Sequence, residues 1–439
     1  MNYTSPSDTP HSTHKVYYGW VIVAIATFAM IASIPGQTAG VAVFTDHLMA
    51  AYKISRTQLS LSYMVGTLGS SLLLPAAGRM LDRLGGRKAI LGAGVGLSLF
   101  LMTLASGEQI LAFLPKGEWM AMAFGAFAFL GVRHFGQGQL TMISRTLVGR
   151  WFGPRLGFVN GLMGVLIAFA FGIAPLALLE IIDFLGWRAG MFSLTSICMA
   201  AGILGFWLFR DSPEDMGVEL EKGWPHKKSG LKGAKDAPIH RVTSIHLKDA
   251  KRTPTFWFYN LALTLQGTII TAFTFHFHGL AKELNLDPKT AFGIFIPIAI
   301  GSTIANVIAG IAADKAAIKG HLIIFLATMA LGTGGIAWIH EPFGYGLVAV
   351  TFGISGGLYA CLIGITWPKL FGTEHLGAIS GYNLGWVVLG SAVGPYAVSL
   401  IQQLDQPLHR SFQYLALAPA ILLLLFILGE GVFRSPRKK

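Results

Sequence analysis

The sequence predicts an all-α integral membrane protein in which twelve transmembrane helices form two parallel six-helix repeats. Three observations support this fold class. The 439-residue chain is 53% hydrophobic and only 12% charged, which is too apolar for a soluble multidomain protein. Its apolar runs are long enough to cross a bilayer, and the charged residues lie almost entirely between them. Motifs in the first half of the chain recur in the second half.

The apolar runs also predict the domain organisation. Helices are expected at 17–39, 57–78, 89–106, 119–142, 155–182, 189–209, 255–279, 290–312, 321–339, 344–366, 376–400 and 411–433. They divide the chain into an N-terminus (1–16), a first bundle (17–210), a linker (211–253), a second bundle (254–433) and a tail (434–439). This arrangement predicts that both termini lie on the same side of the membrane.

The basic residues indicate the orientation in the membrane. Most of the 33 Lys and Arg fall in the termini, the linker and the segments on the same side, which are therefore expected to be cytoplasmic. Because the net charge of +12 is explained by orientation in an inner or plasma membrane, it does not predict a nucleic-acid partner. The lipid bilayer is the expected environment, and we expect a monomer.

Two pairs of motifs show the repeat. Residues 78–82, GRMLD, recur as GIAAD at 310–314, and residues 156–161, LGFVNG, recur as LGAISG at 376–381. Parallel six-helix repeats joined by a cytoplasmic linker place a substrate cavity between the two halves, which opens to each side in turn.

The stretch GRMLDRLGGRK at residues 78–88 resembles the Gly-x-x-x-Asp-Arg-x-Gly-x-Arg signature of the major facilitator superfamily. The resemblance covers essentially the whole chain and implies transport by alternating access. The small first glycine allows close helix packing, and the aspartate can bond to an opposing helix terminus or Arg and hold the cytoplasmic side closed. The motif positions in this chain are Gly78, Asp82, Arg83, Gly85 and Arg87.

The second copy of this motif is incomplete. It keeps Gly310 and Asp314 but continues with Lys315 and lacks the following Gly-x-Arg. We therefore expect the contact made by Asp314 to be weaker than the contact made by Asp82.

Shorter motifs resemble the monocarboxylate and oxalate/formate branch of the superfamily. They are YGW at 18–20, RWF at 150–152, GWR at 186–188, DSPEDMG at 211–217 and FGTEHLG at 371–377. That branch typically places an Arg in helix 8, and the predicted helix at 290–312 contains none. The charge that binds substrate must therefore come from elsewhere in this chain.

Arg133 is the charged residue that the sequence places in the middle of a predicted span. It lies 14 residues after Trp119 and 12 before Arg145, so the helical rise puts it roughly 20 Å from either flank. A buried cation is costly, and a negatively charged partner is the usual reason to keep one. Since no predicted span supplies a carboxylate at this depth, we expect Arg133 to bind an anionic substrate.

Polar residues at helical spacing mark the expected cavity wall. Gln137, Thr141 and Ser144 continue the face of Arg133, and they could equally serve as interhelical hydrogen-bond partners. Further substrate contacts are expected from other helices. They are Gln37 in helix 1, Thr271 and His278 in helix 7, and Tyr382 and Asn383 in helix 11.

Two histidines are candidate proton carriers, because no carboxylate is predicted at mid-membrane. His134 and His278 lie on or beside the polar faces, and histidine titrates in the accessible pH range. His134 could instead be a neutral imidazole that contacts a neighbouring helix. A substrate that enters with its own proton, or exchange of one anion for another, would also satisfy the sequence.

The function predicted from these patterns is transport of a small organic anion, similar to a monocarboxylate and linked to protons. No nucleotide-binding loop or hydrolase motif is present, so neither an enzyme nor a cofactor is expected, and no metal site is predicted. The alternatives are an anion exchanger, an efflux carrier for a hydrophobic compound, and a nontransporting membrane sensor built on the same fold.

Overall fold

The computed structural model describes residues 17–218, 244–286, 293–402 and 406–429, and within these ranges it is entirely helical, with no β-strand. The long helices of the first half are α1 Gly19–Ala32, α2 Arg56–Leu84, α3 Gly86–Ala105, α4, which combines Glu118–Val132, Arg133–Leu140 and Thr141–Trp151, α5 Leu156–Leu185 and α6 Trp187–Leu208. Those of the second half are α7 Pro254–Glu283, α8 Phe295–Lys315, α9 Lys319–Gly335, α10 Pro342–Phe371, α11 Leu376–Gln402 and α12 Leu408–Gly429.

The twelve-helix prediction for the described part of the chain is confirmed. Nine of these helices are long and apolar enough to cross a bilayer within the described ranges. The other three are α1, which has 14 residues, α4, which changes its helical geometry midway, and α7, which carries a polar stripe. The predicted terminus 1–16, most of the linker (219–243) and the tail 434–439 lie outside the described residues.

Helix α1 is shorter than the predicted helix 17–39. It ends at Ala32, and a 3₁₀ turn at Ile34–Gly36 with Pro35 in its first turn separates it from the short helix Thr38–Ala42. Proline lacks a backbone donor and blocks the preceding turn, so the chain bends here. A second short helix, Thr45–Tyr52, completes the connection to α2.

Helix α4 is longer than the predicted helix 119–142. Its middle segment, Arg133–Leu140, is a π-helix, and the chain continues as α-helix to Trp151, just before Gly153 and Pro154 stop it. The prediction that this helix ends at 142 is wrong. As a result Arg145 and Arg150 lie on a helix and not in a polar connection.

The two halves meet at the end of the bundle from which the linker leaves α6 and enters α7, which we call the linker end. There α2 packs against α11, and α5 packs against α8. A Cβ on Gly78 would overlap the carbonyl of Gly377, and one on Gly157 would overlap the carbonyl of Gly310. The glycines of the repeated motifs therefore let the halves approach closely in two related places.

Candidate functional site

A cavity of about 240 Å³ lies between the halves, next to the packed linker end. Helices α4, α10 and α11 provide most of its wall, with contributions from α1 and α5. Its polar lining residues are Gln37, Gln137, Thr141 and Arg145 from the first half, and Tyr359, Trp367, Ser380 and Asn383 from the second half. Apolar walls come from Met30, Met142, Ile167, Phe171, Ile363 and Leu384.

Arg145 is the charged side chain of this cavity, and among its described lining residues no other carries a charge. Its Nη1 is 3.5 Å from the carbonyl oxygen of Ala360, a long contact, and Tyr359 lies close enough to interact with it electrostatically. No carboxylate of the described residues forms an ion pair with it. A guanidinium in this position can bind an anion with two parallel hydrogen bonds.

Arg145 was not among the predicted site residues, because the predicted helix 4 ends at 142. A signal was present in the sequence. Arg145 follows Gln137 and Thr141 at intervals of four residues, so it extends the polar face that begins at Arg133. The structure shows Gln137, Thr141 and Arg145 together in the cavity wall.

Arg133 is buried beside the cavity and does not line it. Its Nη1 donates to the carbonyl oxygen of Gly36 at 3.0 Å and to Thr38 Oγ1 at 3.4 Å, and the guanidinium carbon lies 5.1 Å from the centre of the Tyr63 ring. A carbonyl oxygen and an aromatic face both stabilise a buried cation. Arg133 thus holds the bend that follows α1 against α4, next to the cavity residue Gln37.

Three other predicted substrate residues do meet in the cavity. Gln37 donates from Nε2 to Ser33 Oγ at 3.0 Å, and Asn383 donates from Nδ2 to Asn260 Oδ1 at 3.0 Å. Gln137 has a buried Oε1 without a hydrogen-bond partner among the described residues. The amides of Gln137 and Asn383 therefore face the cavity from opposite halves.

Two predicted substrate residues lie elsewhere. Tyr382 packs edge-on against Trp257, and Lys251 Nζ lies 4.9 Å from the centre of its ring, so it faces α7 and the linker end. It neighbours Asn383 in sequence, and adjacent residues on a helix point about 100° apart. Thr271 is half-buried on α7 and is not among the lining residues of the cavity.

One of the two candidate proton carriers, His134, is not among the lining residues of the cavity. His134 is buried, and its Nε2 lies 2.9 Å from Gln139 Nε2 within the π-helical segment of α4. Its ring packs against Phe135. The side chain of His278 lies outside the described part of the structure.

Asp82 joins the halves at the linker end. Its carboxylate accepts hydrogen bonds from the backbone N–H groups of Gly377 at 2.9 Å and Ala378 at 2.7 Å, and Arg150 Nη2 lies 2.7 Å from Oδ1. The N-terminus of α11 favours an anion, because its first N–H groups are unpaired within the helix. We call Asp82, Arg150, Gly377 and Ala378 the Asp82 cluster.

Asp314 makes the related contact in the second repeat. It accepts hydrogen bonds from the backbone N–H groups of Gly157 at 2.7 Å and Phe158 at 2.9 Å, at the N-terminus of α5, and Lys369 Nζ lies 3.5 Å from Oδ1. We call these four residues the Asp314 cluster. The backbone bonds match those of Asp82 in length, whereas the cation lies farther from the carboxylate, 3.5 Å for Lys369 against 2.7 Å for Arg150. The weaker contact expected for Asp314 is therefore found in its ion pair and not in its backbone bonds.

The partners Arg150 and Lys369 were missed, although the sequence contains a signal for them. They begin the matching stretches RWFG at 150–153 and KLFG at 369–372, each just before the helix N-terminus that receives the opposing aspartate. In each half a cation from this stretch pairs with the aspartate of the same half, Arg150 of α4 with Asp82 and Lys369 of α10 with Asp314.

The remaining motif residues shape the α2–α3 connection. Gly85 has a positive φ of 79°, which favours glycine, and the next residue donates its N–H to the Asp211 carboxylate. Arg87 donates from Nε to the carbonyl oxygen of Phe206 at 2.8 Å. Arg83 is exposed and lines a polar pocket at the linker end with Asp82 and Asp211.

A family model of the Major Facilitator Superfamily matches residues 19–395. The chain belongs to the major facilitator superfamily. Membership of this superfamily, together with the apolar helices, identifies a multi-pass membrane protein.

Curated relatives are distant. The chain is 23% identical over 374 residues to the uncharacterized MFS-type transporter YhjX of Escherichia coli strain K12. The aligned residues cover 80% of each protein. It is 23% identical over 293 residues to the membrane sensor protein UhpC of the same strain. The aligned residues cover 63% of this chain and 65% of the sensor. The chain thus spans less than two thirds of the sensor's length.

Solved structures of the superfamily share the fold. The proton:xylose symporter XylE aligns with a TM-score of 0.66 at 14% identity, over 96% of this chain and 97% of XylE. The human organic anion transporter MFSD10 aligns with a TM-score of 0.62 at 14% identity, over 93% of this chain and 99% of that protein. Identities this low establish the fold and leave the substrate to be argued from the cavity.

Proposed function

We propose that this protein is a secondary active transporter that carries a small organic anion through the cavity between its halves by alternating access. The observation that carries this proposal is Arg145, a cation in the cavity wall with no ion-paired carboxylate among the described residues. Arg145 is half-buried within a membrane-spanning helix, and a cation there that lacks a protein counterion is matched best by a negatively charged ligand.

The cavity also restricts the kind of anion. One guanidinium faces apolar walls that include Ile167, Phe171 and Ile363, so a single carboxylate with a small apolar body fits better than a dicarboxylate. A volume of about 240 Å³ limits the ligand to a small molecule. The short motifs that resemble the monocarboxylate branch support the same class.

The two aspartate clusters supply the gate in this proposal. Both close the linker end, so the cavity reaches that side only after the Asp82 and Asp314 clusters separate. The bonds of each aspartate to a helix N-terminus exist in the closed state and are lost in the open state. The clusters therefore set the equilibrium between the two states without touching the substrate.

Proton linkage is the coupling that we propose. His134 is bonded within its own helix, outside the cavity wall, so His278 or the carboxyl group of the substrate itself is a better carrier. A carboxylate that crosses the protein with its own proton needs no titratable protein group at mid-membrane. Exchange of one anion for another is the alternative, and it predicts no response to a pH gradient.

The test is uptake by proteoliposomes containing the purified protein. The probes are radiolabelled acetate, lactate, benzoate and oxalate, with xylose and choline as neutral and cationic controls. We expect uptake of at least one monocarboxylate, accelerated by an imposed pH gradient and absent from liposomes without protein. Uptake of choline, or of xylose alone, would contradict the proposal, and acceleration only by preloaded anion would establish exchange.

A nontransporting sensor is a second candidate function, favoured by the similarity to UhpC. A sensor would bind its ligand in the same cavity without releasing it on the other side. It predicts that a carboxylate raises the thermal stability of the protein while uptake stays at background. Transport and thermal stabilisation measured on the same preparation therefore separate the two functions.

A further inference from the structure

The geometry points to Trp367 as a second anion-binding residue, whose indole N–H donates to the carboxylate held by Arg145. This inference rests on the proposed function and extends it to the second half of the protein. Arg145 belongs to α4 in the first half, and Trp367 belongs to α10 in the second. One bound anion would therefore contact both halves.

The placement of Trp367 follows from the periodicity of α10. Tyr359, Ile363 and Trp367 are spaced by four residues and line the cavity together. Tyr359 is the member of this face that interacts electrostatically with Arg145. The face thus places Tyr359, Ile363 and Trp367 at the wall of the cavity that contains Arg145.

The indole N–H of Trp367 has no acceptor in the described structure. The side chain is only 1% exposed, and Nε1 is buried without a hydrogen-bond partner. Other tryptophans at the linker end are satisfied, since Trp151 Nε1 donates to the carbonyl of Arg210 at 2.7 Å and Trp257 Nε1 donates to that of Lys251 at 2.8 Å. A buried indole N–H usually has a partner, so a ligand that supplies an acceptor accounts for Trp367.

The ring of Trp367 is held in place by aromatic side chains that are not among the lining residues of the cavity. Its centre lies 5.3 Å from the ring of Phe256 on α7 and 6.0 Å from that of Phe371. A donor whose orientation is fixed by packing loses little freedom when it binds a ligand. Trp367 is therefore prepared to donate in one direction, and a carboxylate supplies a second oxygen for it beside the one that Arg145 binds.

Trp367 is also close to the gate. It precedes Lys369 by two residues, in the last turns of α10, and Lys369 contacts Asp314. An anion that bonds to both Arg145 and Trp367 binds more tightly when the halves are close, so it would favour the state in which the linker end is closed.

The test replaces only the indole N–H. Trp367→Phe keeps an aromatic ring, and Trp386→Phe is the matched control, because Trp386 packs against Trp257 outside the cavity. Dissociation constants are measured for acetate, lactate and benzoate and for the corresponding neutral amides. Loss of a hydrogen bond to a charged group predicts at least about a tenfold weaker carboxylate binding in Trp367→Phe, with a smaller loss for the amide.

The outcomes separate this inference from the proposed function. If the parent binds a carboxylate and Trp367→Phe binds it equally well, the inference is overturned and the proposed function stands. If the parent binds none of the carboxylates, both are overturned. Should Trp367→Phe fail to fold, 3-benzothienylalanine at position 367 keeps the shape of the ring without its N–H, and unchanged carboxylate affinity in that protein would equally overturn the inference.

Discussion

Arg133 and Arg145 lie on the same helix, 12 residues apart, and have opposite surroundings. Arg133 is buried against Gly36, Thr38 and the ring of Tyr63, so protein groups of its own half stabilise its charge. Arg145 has one long contact to a carbonyl oxygen and faces a cavity shared by both halves. Depth in the membrane alone therefore does not distinguish the two cations. We expect the groups around each cation to decide which one binds substrate.

This difference assigns separate tasks to the two residues. Arg145 is the expected partner of the anion, and Arg133 is expected to hold the bend after α1 in the position that brings Gln37 to the cavity. The prediction that Arg133 itself binds substrate stays a prediction. Each experiment below separates the two arginines or the parts of the protein that depend on them.

The largest effect is expected from Arg145. Arg145→Gln removes the charge that matches the anion and keeps an amide, so monocarboxylate uptake should fall by at least about 100-fold. Arg145→Lys should retain an intermediate rate, because an ammonium keeps the charge and loses the planar pair of donors. Initial uptake rates in proteoliposomes with equal protein content check this, and a parental rate in Arg145→Gln would exclude Arg145 as the anion site.

A smaller effect, on stability, is expected from Arg133. Arg133→Gln leaves the carbonyl of Gly36 without its cationic donor and should cost about 1–3 kcal/mol, seen as a lower melting temperature without ligand. Tyr63→Leu removes only the aromatic face and should lower the melting temperature less. An unchanged melting temperature in Arg133→Gln would show that these contacts do not hold the α1 bend.

Substitutions in the aspartate clusters change access to the cavity and leave Arg145 itself in place. Asp82→Asn and Asp314→Asn weaken the bonds to the opposing helix N-termini and should each reduce turnover several-fold, with the dissociation constant of the anion changed less than about twofold. Because the two carboxylates have backbone bonds of equal length, we expect similar effects. Asp249→Asn, at an exposed aspartate of the linker end, is the control. A large loss for Asp82 alone would restore the asymmetry predicted from the motifs.

The smallest effect is expected from His134. Since it contacts Gln139 within α4 and does not line the cavity, His134→Gln should change the response of uptake to a pH gradient by less than about twofold. His278→Gln is measured in parallel. Loss of the gradient response in His134→Gln would identify it as the proton carrier.

Much of the architecture could be predicted from the sequence, because lipid requires long apolar helices and places charges at their ends. The repeated glycine and aspartate motifs identified residues that meet across the halves, as Gly78 and Gly377 do. The bend at Pro35 could also have been expected, since proline rarely continues a helix. The apolar run around it instead predicted an unbroken helix over 17–39.

The site was harder to predict. Polar periodicity shows which residues share one face of a helix, but it does not show which part of the protein that face contacts. The π-helical segment Arg133–Leu140 changes the direction of the side chains within α4, and no residue pattern announced it. Tyr382 and Asn383 are adjacent in sequence, yet only Asn383 lines the cavity. Trp367 lies just beyond the predicted helix 344–366, and its polar N–H becomes informative only when the structure shows that it lacks a partner.

The most direct test of the account compares the two arginines by ligand-induced stabilisation. The melting temperatures of the parent, Arg145→Gln and Arg133→Gln are measured with and without saturating acetate, lactate or benzoate at constant ionic strength, since a ligand that binds only the folded state raises its stability. The account predicts that the anion stabilises the parent and Arg133→Gln by similar increments and leaves Arg145→Gln unchanged. Stabilisation that survives in Arg145→Gln and disappears in Arg133→Gln would contradict it and place the anion at Arg133.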